Sequence, residues 1–112
     1  MANDLGKTST GIQPNVAALL SYVLGVLTGI IFFIIEKENK FVRFHAMQSI
    51  ITFGGLFVIQ IVFAFIPIVG AIIVPIISIA SLILWVVLMI KSYQGEKFKL
   101  PIVGDMAEKQ AK

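Results

Sequence analysis

The sequence predicts an all-α integral membrane protein, a bundle of three transmembrane helices, and three observations carry that expectation. Of 112 residues, 58% are hydrophobic and 13% charged, against about half and about a quarter in an average soluble domain. No formal charge occurs from residue 16 to 35 or from 46 to 90. The polar remainder is divided into short ends and one loop, none long enough to bury a core of its own. The mean hydropathy of +0.98 agrees. This balance excludes disorder, a string of globular domains and a large extramembrane catalytic domain.

Residues 1–15 read as a loose polar tail, with Gly6, Thr8, Ser9, Thr10, Gly11 and Pro14 among them. A transmembrane domain over 16–92 follows. Its first apolar stretch, 16–35, is about 20 residues, the length at about 1.5 Å per residue that matches a hydrocarbon core of about 30 Å. The stretch ends on Glu36-Lys37-Glu38-Asn39-Lys40 rather than a small-residue cleavage site, so a retained helix is expected. The second uncharged stretch, 46–90, would make one helix of about 67 Å, twice the bilayer core, and must turn back. Pro67 and Gly70 stand near its midpoint, where a missing N–H and a permissive backbone end one helix and begin another. Helices at about 46–66 and 71–90 result, with Pro75 in the first turns of the third. Residues 93–112 are expected to form a mobile polar tail, Gly95 marking the helix end.

Orientation follows from the basic residues. In a three-span topology Lys37, Lys40, Arg43, Lys91, Lys97, Lys99, Lys109 and Lys112 share one side, and Lys7 alone takes the other. The positive-inside rule then puts the C-terminus in the cytoplasm and the N-terminus outside, in a cell membrane. The net charge of +3 is dispersed around apolar spans instead of gathered on one folded face, which argues against nucleic acid as a partner.

Chemistry has few carriers. There is no Cys, so disulfides, thiolates and iron–sulfur clusters are excluded, and His45 is the one histidine. No acid shares a helix with His45 in a Ser-His-Asp arrangement, and no phosphate-binding glycine pattern surrounds Gly11 or Gly104. No catalytic residue, metal site or cofactor is expected, and the chain is read as no enzyme. Between 16 and 35 and between 46 and 90 there is no intramembrane Asp, Glu, Lys or Arg of the kind a proton-coupled pump uses.

Three groups of residues remain as candidates. Ala17, Ser21, Gly25 and Gly29 recur every four residues and form a small-residue ridge containing a literal GxxxG. This ridge packs either on a partner or on the chain's own second or third helix. His45, Gln48, Ser49, Thr52 and Gln60 fall within an arc of about 120° at 100° per residue, a polar face that avoids lipid. It either bonds neighbouring helices or lines a hydrated path. Lys40, Arg43, Lys91 and Tyr93 stand at the interface, suited to lipid headgroups or to plain anchoring, and Trp85 fits an aromatic belt or the bundle interior.

The segments Gly11-Ile12-Gln13-Pro14-Asn15, Phe41-Val42-Arg43-Phe44-His45-Ala46-Met47-Gln48-Ser49 and Gly95-Glu96-Lys97-Phe98-Lys99-Leu100-Pro101-Ile102-Val103-Gly104 resemble a family of small uncharacterised prokaryotic membrane proteins. That family is often described as similar to the twenty-kilodalton component of the chloroplast inner-envelope protein translocon, known as Tic20. The resemblance covers about residues 11–108 and implies a multi-pass helical membrane protein with no assigned catalytic residues. Arg43, His45, Gln48 and Ser49 match its signature. The function expected is a non-enzymatic accessory or assembly protein, docking other membrane proteins or a second copy through its small and polar helix faces. The alternative is an oligomeric translocation or permeation element lined by Gln48, Thr52 and Gln60, and membrane lipids are partners in either case.

Overall fold

A computed structural model describes residues 6–111. The described residues form five helices, α1 (Pro14–Val23), α2 (Val26–Ile35), α3 (Lys40–Ala64), α4 (Pro67–Tyr93) and α5 (Val103–Gln110), and no strand occurs among them. Only α3 and α4 are long and apolar enough to cross a membrane. At 25 and 27 residues they measure about 37 and 40 Å.

The expectation of three spans is therefore corrected to two candidate spans. The 16–35 stretch is two helices of 10 residues each, each about 15 Å long and so about half a hydrocarbon core. Gly25 makes the break. It has φ 61° and ψ −122°, a backbone state that a side chain disfavours and glycine tolerates. Three side chains stabilise the break with four bonds to the backbone it frees. The Thr28 hydroxyl accepts from Leu24 N–H and donates to the Ser21 carbonyl, both at 3.1 Å. Ser49 Oγ donates to the Gly25 carbonyl at 2.9 Å, and Trp85 Nε1 donates to the Tyr22 carbonyl at 2.7 Å. Irregular backbone at membrane depth persists where protein groups satisfy it in this way.

α1 and α2 thus form a hairpin that returns to its starting end. Pro14 opens α1 at a position where its missing N–H costs nothing, two residues before the start expected. α1 packs on both long helices and α2 chiefly on α3. Ala17, Ala18, Phe32, Phe41, Val42 and Ala46 make the core where they meet. α3 starts at Lys40, earlier than expected, because Asn39 Oδ1 accepts the Val42 N–H at 3.0 Å and caps the helix. The α3–α4 turn falls where Pro67 and Gly70 placed it. Gly70 lies so close to the Phe63 carbonyl that no Cβ fits.

Both polar ends are ordered where they are described. The Ser9 N–H donates to Glu36 Oε2 at 2.7 Å, and the N–H groups of Lys37 and Glu38 donate to Ser9 Oγ. The segment after Tyr93 folds back, and α5 sets Ala107 and Ala111 against Phe44, with Met47 and Ile51 beside them. This segment is not a mobile tail. Residues 1–5 and Lys112 lie outside the described residues.

Because the hairpin returns, the N-terminal segment lies at the same end as the C-terminal one: Asn15 Nδ2 donates to the Tyr93 carbonyl. The described parts of both ends therefore meet at one end of the bundle, not on opposite sides as the three-span topology expects. All described charged residues sit at this end, and the opposite turn around Pro67 carries none.

Substituting Gly25 by Ala is expected to destabilise the fold by about 1–3 kcal/mol through the forced backbone state. Gly55→Ala, at a helical position with nothing within 4 Å of the added carbon, is the control and is expected to be neutral or mildly stabilising. Thermal unfolding in mild detergent checks the pair, and equal behaviour would count against the break.

Candidate functional site

The polar groups of the charged end converge on one helix turn of α3. His45 and Gln48 are both fully buried, and so is Tyr22 on α1. His45 Nε2 lies 3.0 Å from the Glu96 carbonyl, which only accepts, so Nε2 carries the proton. Nδ1 then accepts from the Tyr22 hydroxyl at 2.7 Å. The same oxygen accepts from Gln48 Nε2 at 3.0 Å. Gln48 Nε2 also donates to the Phe98 carbonyl at 2.8 Å, and its Oε1 accepts the Leu100 N–H at 3.0 Å. Every donor of the three side chains has an acceptor, as a buried polar group requires. Phe41, Phe44 and Tyr22 surround the imidazole edge-on, with centroids 4.6, 5.0 and 5.4 Å away.

Around this network the remaining candidates take structural positions. Ser49 holds the hairpin turn, as described above. Thr52 is buried, and its hydroxyl has no partner among the described residues. Gln60 stands apart, half-exposed in the far half of α3, with Ser78 Oγ at 3.5 Å from its Oε1. The polar face is thus divided: its first four members point into the bundle and the fifth lies outside it.

The small-residue ridge faces inward too. Ala17 and Ser21 are fully buried. A Cβ on Gly29 would meet the Ala46 carbonyl at 2.9 Å and Ser49 Cβ at 3.2 Å, and one on Gly25 would meet Phe53 at 3.5 Å. These residues seat α1 and α2 on the chain's own α3. The GxxxG pattern does not lie on one continuous helix, since Gly25 is the break.

Of the interface residues, Arg43 is half-buried, and its Nη1 donates to the Phe33 and Glu36 carbonyls at 3.0 and 2.7 Å. It caps the C-terminus of α2, where a cation is favoured, and covers the Phe33 ring at 4.1 Å. Lys91 pairs with Glu96 at 3.5 Å. Lys40 and Tyr93 remain exposed. Trp85, read as belt or interior, is tied into the bundle by its bond to α1.

Two features were missed at the level of sequence. Glu36 is fully buried, and its Oε2 accepts N–H bonds from Ser9, Asn39 and Glu38 at 2.7, 3.0 and 3.1 Å. Burial pushes its carboxyl up, but the N–H groups and the Ser9 hydroxyl together outweigh burial and hold it below the usual value. On α5, Glu108 bridges Lys97 at 2.7 Å and Lys99 at 3.0 Å, and Lys99 also meets Asp105 at 2.8 Å. The two lysines hold Glu108 down at about 2, while Asp105 and Glu108 raise Lys99. A carboxylate three residues from a buried core and a lysine pair elsewhere in sequence give no local signal for either arrangement. Among the described residues no three His, Asp or Glu side chains are grouped as metal ligands.

Replacing Gln48 with Leu leaves the Leu100 N–H and Phe98 carbonyl without their partner and is expected to cost about 1–3 kcal/mol. Trypsin should then cut sooner at Lys97 and Lys99, and unchanged digestion would count against the clamp. Docking of α5 is expected to hold from neutral pH down to about 4.5. It should weaken as pH falls from there toward about 2, because a carboxylate depressed from 4.5 loses its folded-state advantage across that window. Hydrogen exchange of the α5 amides against pH, repeated at high salt, follows this directly, and amides whose protection does not fall below pH 4.5 would count against it.

A family model described as the magnetosome magnetite crystal formation protein family matches residues 10–107, which include the whole hydrogen-bond network. A UPF0132 membrane protein of Methanocaldococcus jannaschii is 56% identical over 104 residues, 93% of this chain and 94% of its own. One of Archaeoglobus fulgidus is 52% identical over 99 residues, covering 88% and 96%. A second M. jannaschii UPF0132 membrane protein is 48% identical over 99 residues, covering 88% and 71%. No solved structure matches the chain. These matches support the small prokaryotic family and give no support to the likeness to a chloroplast translocon component.

Proposed function

Because the chain belongs to the magnetosome magnetite crystal formation protein family and is similar throughout to archaeal UPF0132 membrane proteins, we propose that it is a non-enzymatic membrane scaffold that presents a folded, charged face for the assembly of other proteins. In this reading α3 and α4 cross the cell membrane, and the α1–α2 hairpin enters from the charged face and returns to it. The positive-inside rule puts that face, with both termini, in the cytoplasm.

The observation that carries the reading is the internal engagement of the polar side chains. Tyr22, His45 and Gln48 satisfy one another and the returning backbone. The small residues Gly25 and Gly29 are enclosed against α3. What is left for a partner is the surface of the 94–102 segment, α5 and the exposed Lys37 and Glu38. The depression between α1 and α4, about 410 Å³, is lined by Leu19, Val86, Met89, Ile90, Tyr93 and Gln94, with no acid, amine or imidazole to drive a reaction.

The family description names magnetite crystal formation. For this chain direct contact with iron or mineral is not the favoured form of that role, since among the described residues no three His, Asp or Glu side chains are grouped, Glu36 is buried, and Glu96, Asp105 and Glu108 are paired with lysines, which leaves Glu38 as a single exposed carboxylate outside those pairs. A permeation path is not favoured either: Gln48 is occupied and Gln60 stands apart from it.

The chain lacks Cys, so single cysteines report topology cleanly. Thr10→Cys, Glu38→Cys and Lys109→Cys are expected to react with impermeant thiol reagents from the cytoplasmic side, and Val69→Cys from the opposite side. Reaction of Thr10→Cys from the side of Val69 would restore three spans. Reconstituted protein is expected to pass no ions, and conductance would overturn the scaffold reading. In native membranes a photo-crosslinking residue at Lys109 should trap a protein neighbour and one at Ile79 should not. The reverse result would count against the charged face as the docking surface.

A further inference from the structure

The molecule changes cross-section along its length. At the charged end α1, α2, α3 and α4 pack side by side, and α5 adds a further layer on α3. Beyond the Leu24–Gly25 turn only α3 and α4 continue. α3 meets the turn at Ser49 and Phe53 and runs on to Ala64, about 16 Å further. In this narrow half, from residue 53 to 84, Gly70 is the one buried residue described. Phe57, Ile61, Ile72, Ile76, Ile79 and Ile83 are exposed around it.

With α3 and α4 across a bilayer, the hairpin occupies one leaflet and not the other. Two helices about 10–12 Å wide add about 200 Å² of cross-section to the leaflet on the charged side. Two further properties make the asymmetry effective. All described charges lie at the wide end, so copies insert with one orientation and their asymmetries add. The wide end is also fastened by a buried bond from Tyr22 to His45 and part-buried bonds from Ser49 to Gly25 and from Trp85 to Tyr22, so it resists being squeezed to the width of the narrow end. α5 contributes on the same side, with Ile102 77% and Met106 49% exposed at the surface.

We propose that this protein acts as a one-leaflet wedge: it gathers on, and at high density bends, membrane whose charged-side leaflet is convex. Its partner in this role is the lipid bilayer itself. The inference rests on the membrane-embedded hairpin described under the proposed function and adds a mechanical activity to it.

The test uses the full chain, labelled at Lys109→Cys, in giant vesicles of three parts phosphatidylcholine to one part phosphatidylglycerol, from which narrow tubes are drawn. With the charged face outward, protein density on the tube is expected to exceed that on the parent vesicle about twofold or more, rising as the tube narrows. With the charged face inward it is expected to fall below that of the parent. Ile102→Ser together with Met106→Ser, which reduces insertion of α5 and leaves the hairpin intact, should lower the enrichment. Equal density on tube and vesicle in both orientations overturns the wedge. Labelling of Leu24→Cys separates the two ideas. Reaction from the side of Val69 defeats the embedded hairpin, whereas a protected Leu24 with flat sorting defeats the wedge alone.

Discussion

The fold depends on a break in an apolar helix being chemically complete. Interrupting a helix at membrane depth exposes N–H and carbonyl groups that hydrocarbon cannot satisfy, each at a cost of several kcal/mol. Here Thr28, Ser49 and Trp85 take up the groups freed around Gly25. They come from α2, α3 and α4, so the turn is satisfied only with α1 to α4 packed together. That interdependence sends the chain back to the charged end. It puts both described ends of the protein on one face.

The second organising feature follows from the first. Once α1 is seated between α3 and α4, the Tyr22 hydroxyl lies beside His45 and Gln48, and these two side chains reach the backbone of the segment after Tyr93. The buried polar cluster therefore joins the hairpin to the returning C-terminal segment. Lys97, Lys99 and Glu108 then fasten α5 at the surface. Polar residues that look available for transport are fixing the geometry of the charged face.

Seen this way, the scaffold and wedge readings share a cause. A hairpin that stops halfway gives a wide, hydrogen-bonded, charged end and a narrow apolar end. The wide end offers a shaped surface to other proteins, and the difference in width acts on the bilayer. Neither role needs a cofactor or a reactive side chain.

From the sequence alone, composition and the uncharged runs determined a helical membrane protein, because burying that much apolar surface in so short a chain requires lipid. The turn at Pro67 and Gly70 was also legible, since an uncharged run twice the bilayer thickness must reverse; of the polar arc on α3, His45, Gln48, Ser49 and Thr52 face inward and Gln60 does not. The tertiary structure alone decided that residues 16–35 form two short helices instead of one long one. Length and hydropathy are the same for a straight helix and for a hairpin of two halves, and what selects the hairpin is a set of hydrogen bonds from residues up to 63 positions away. For the same reason only the tertiary structure shows that the small-residue ridge meets α3, that Arg43 caps α2, and that the polar C-terminal stretch is docked. Each of these contacts joins elements distant in sequence, and no local pattern records such a pairing.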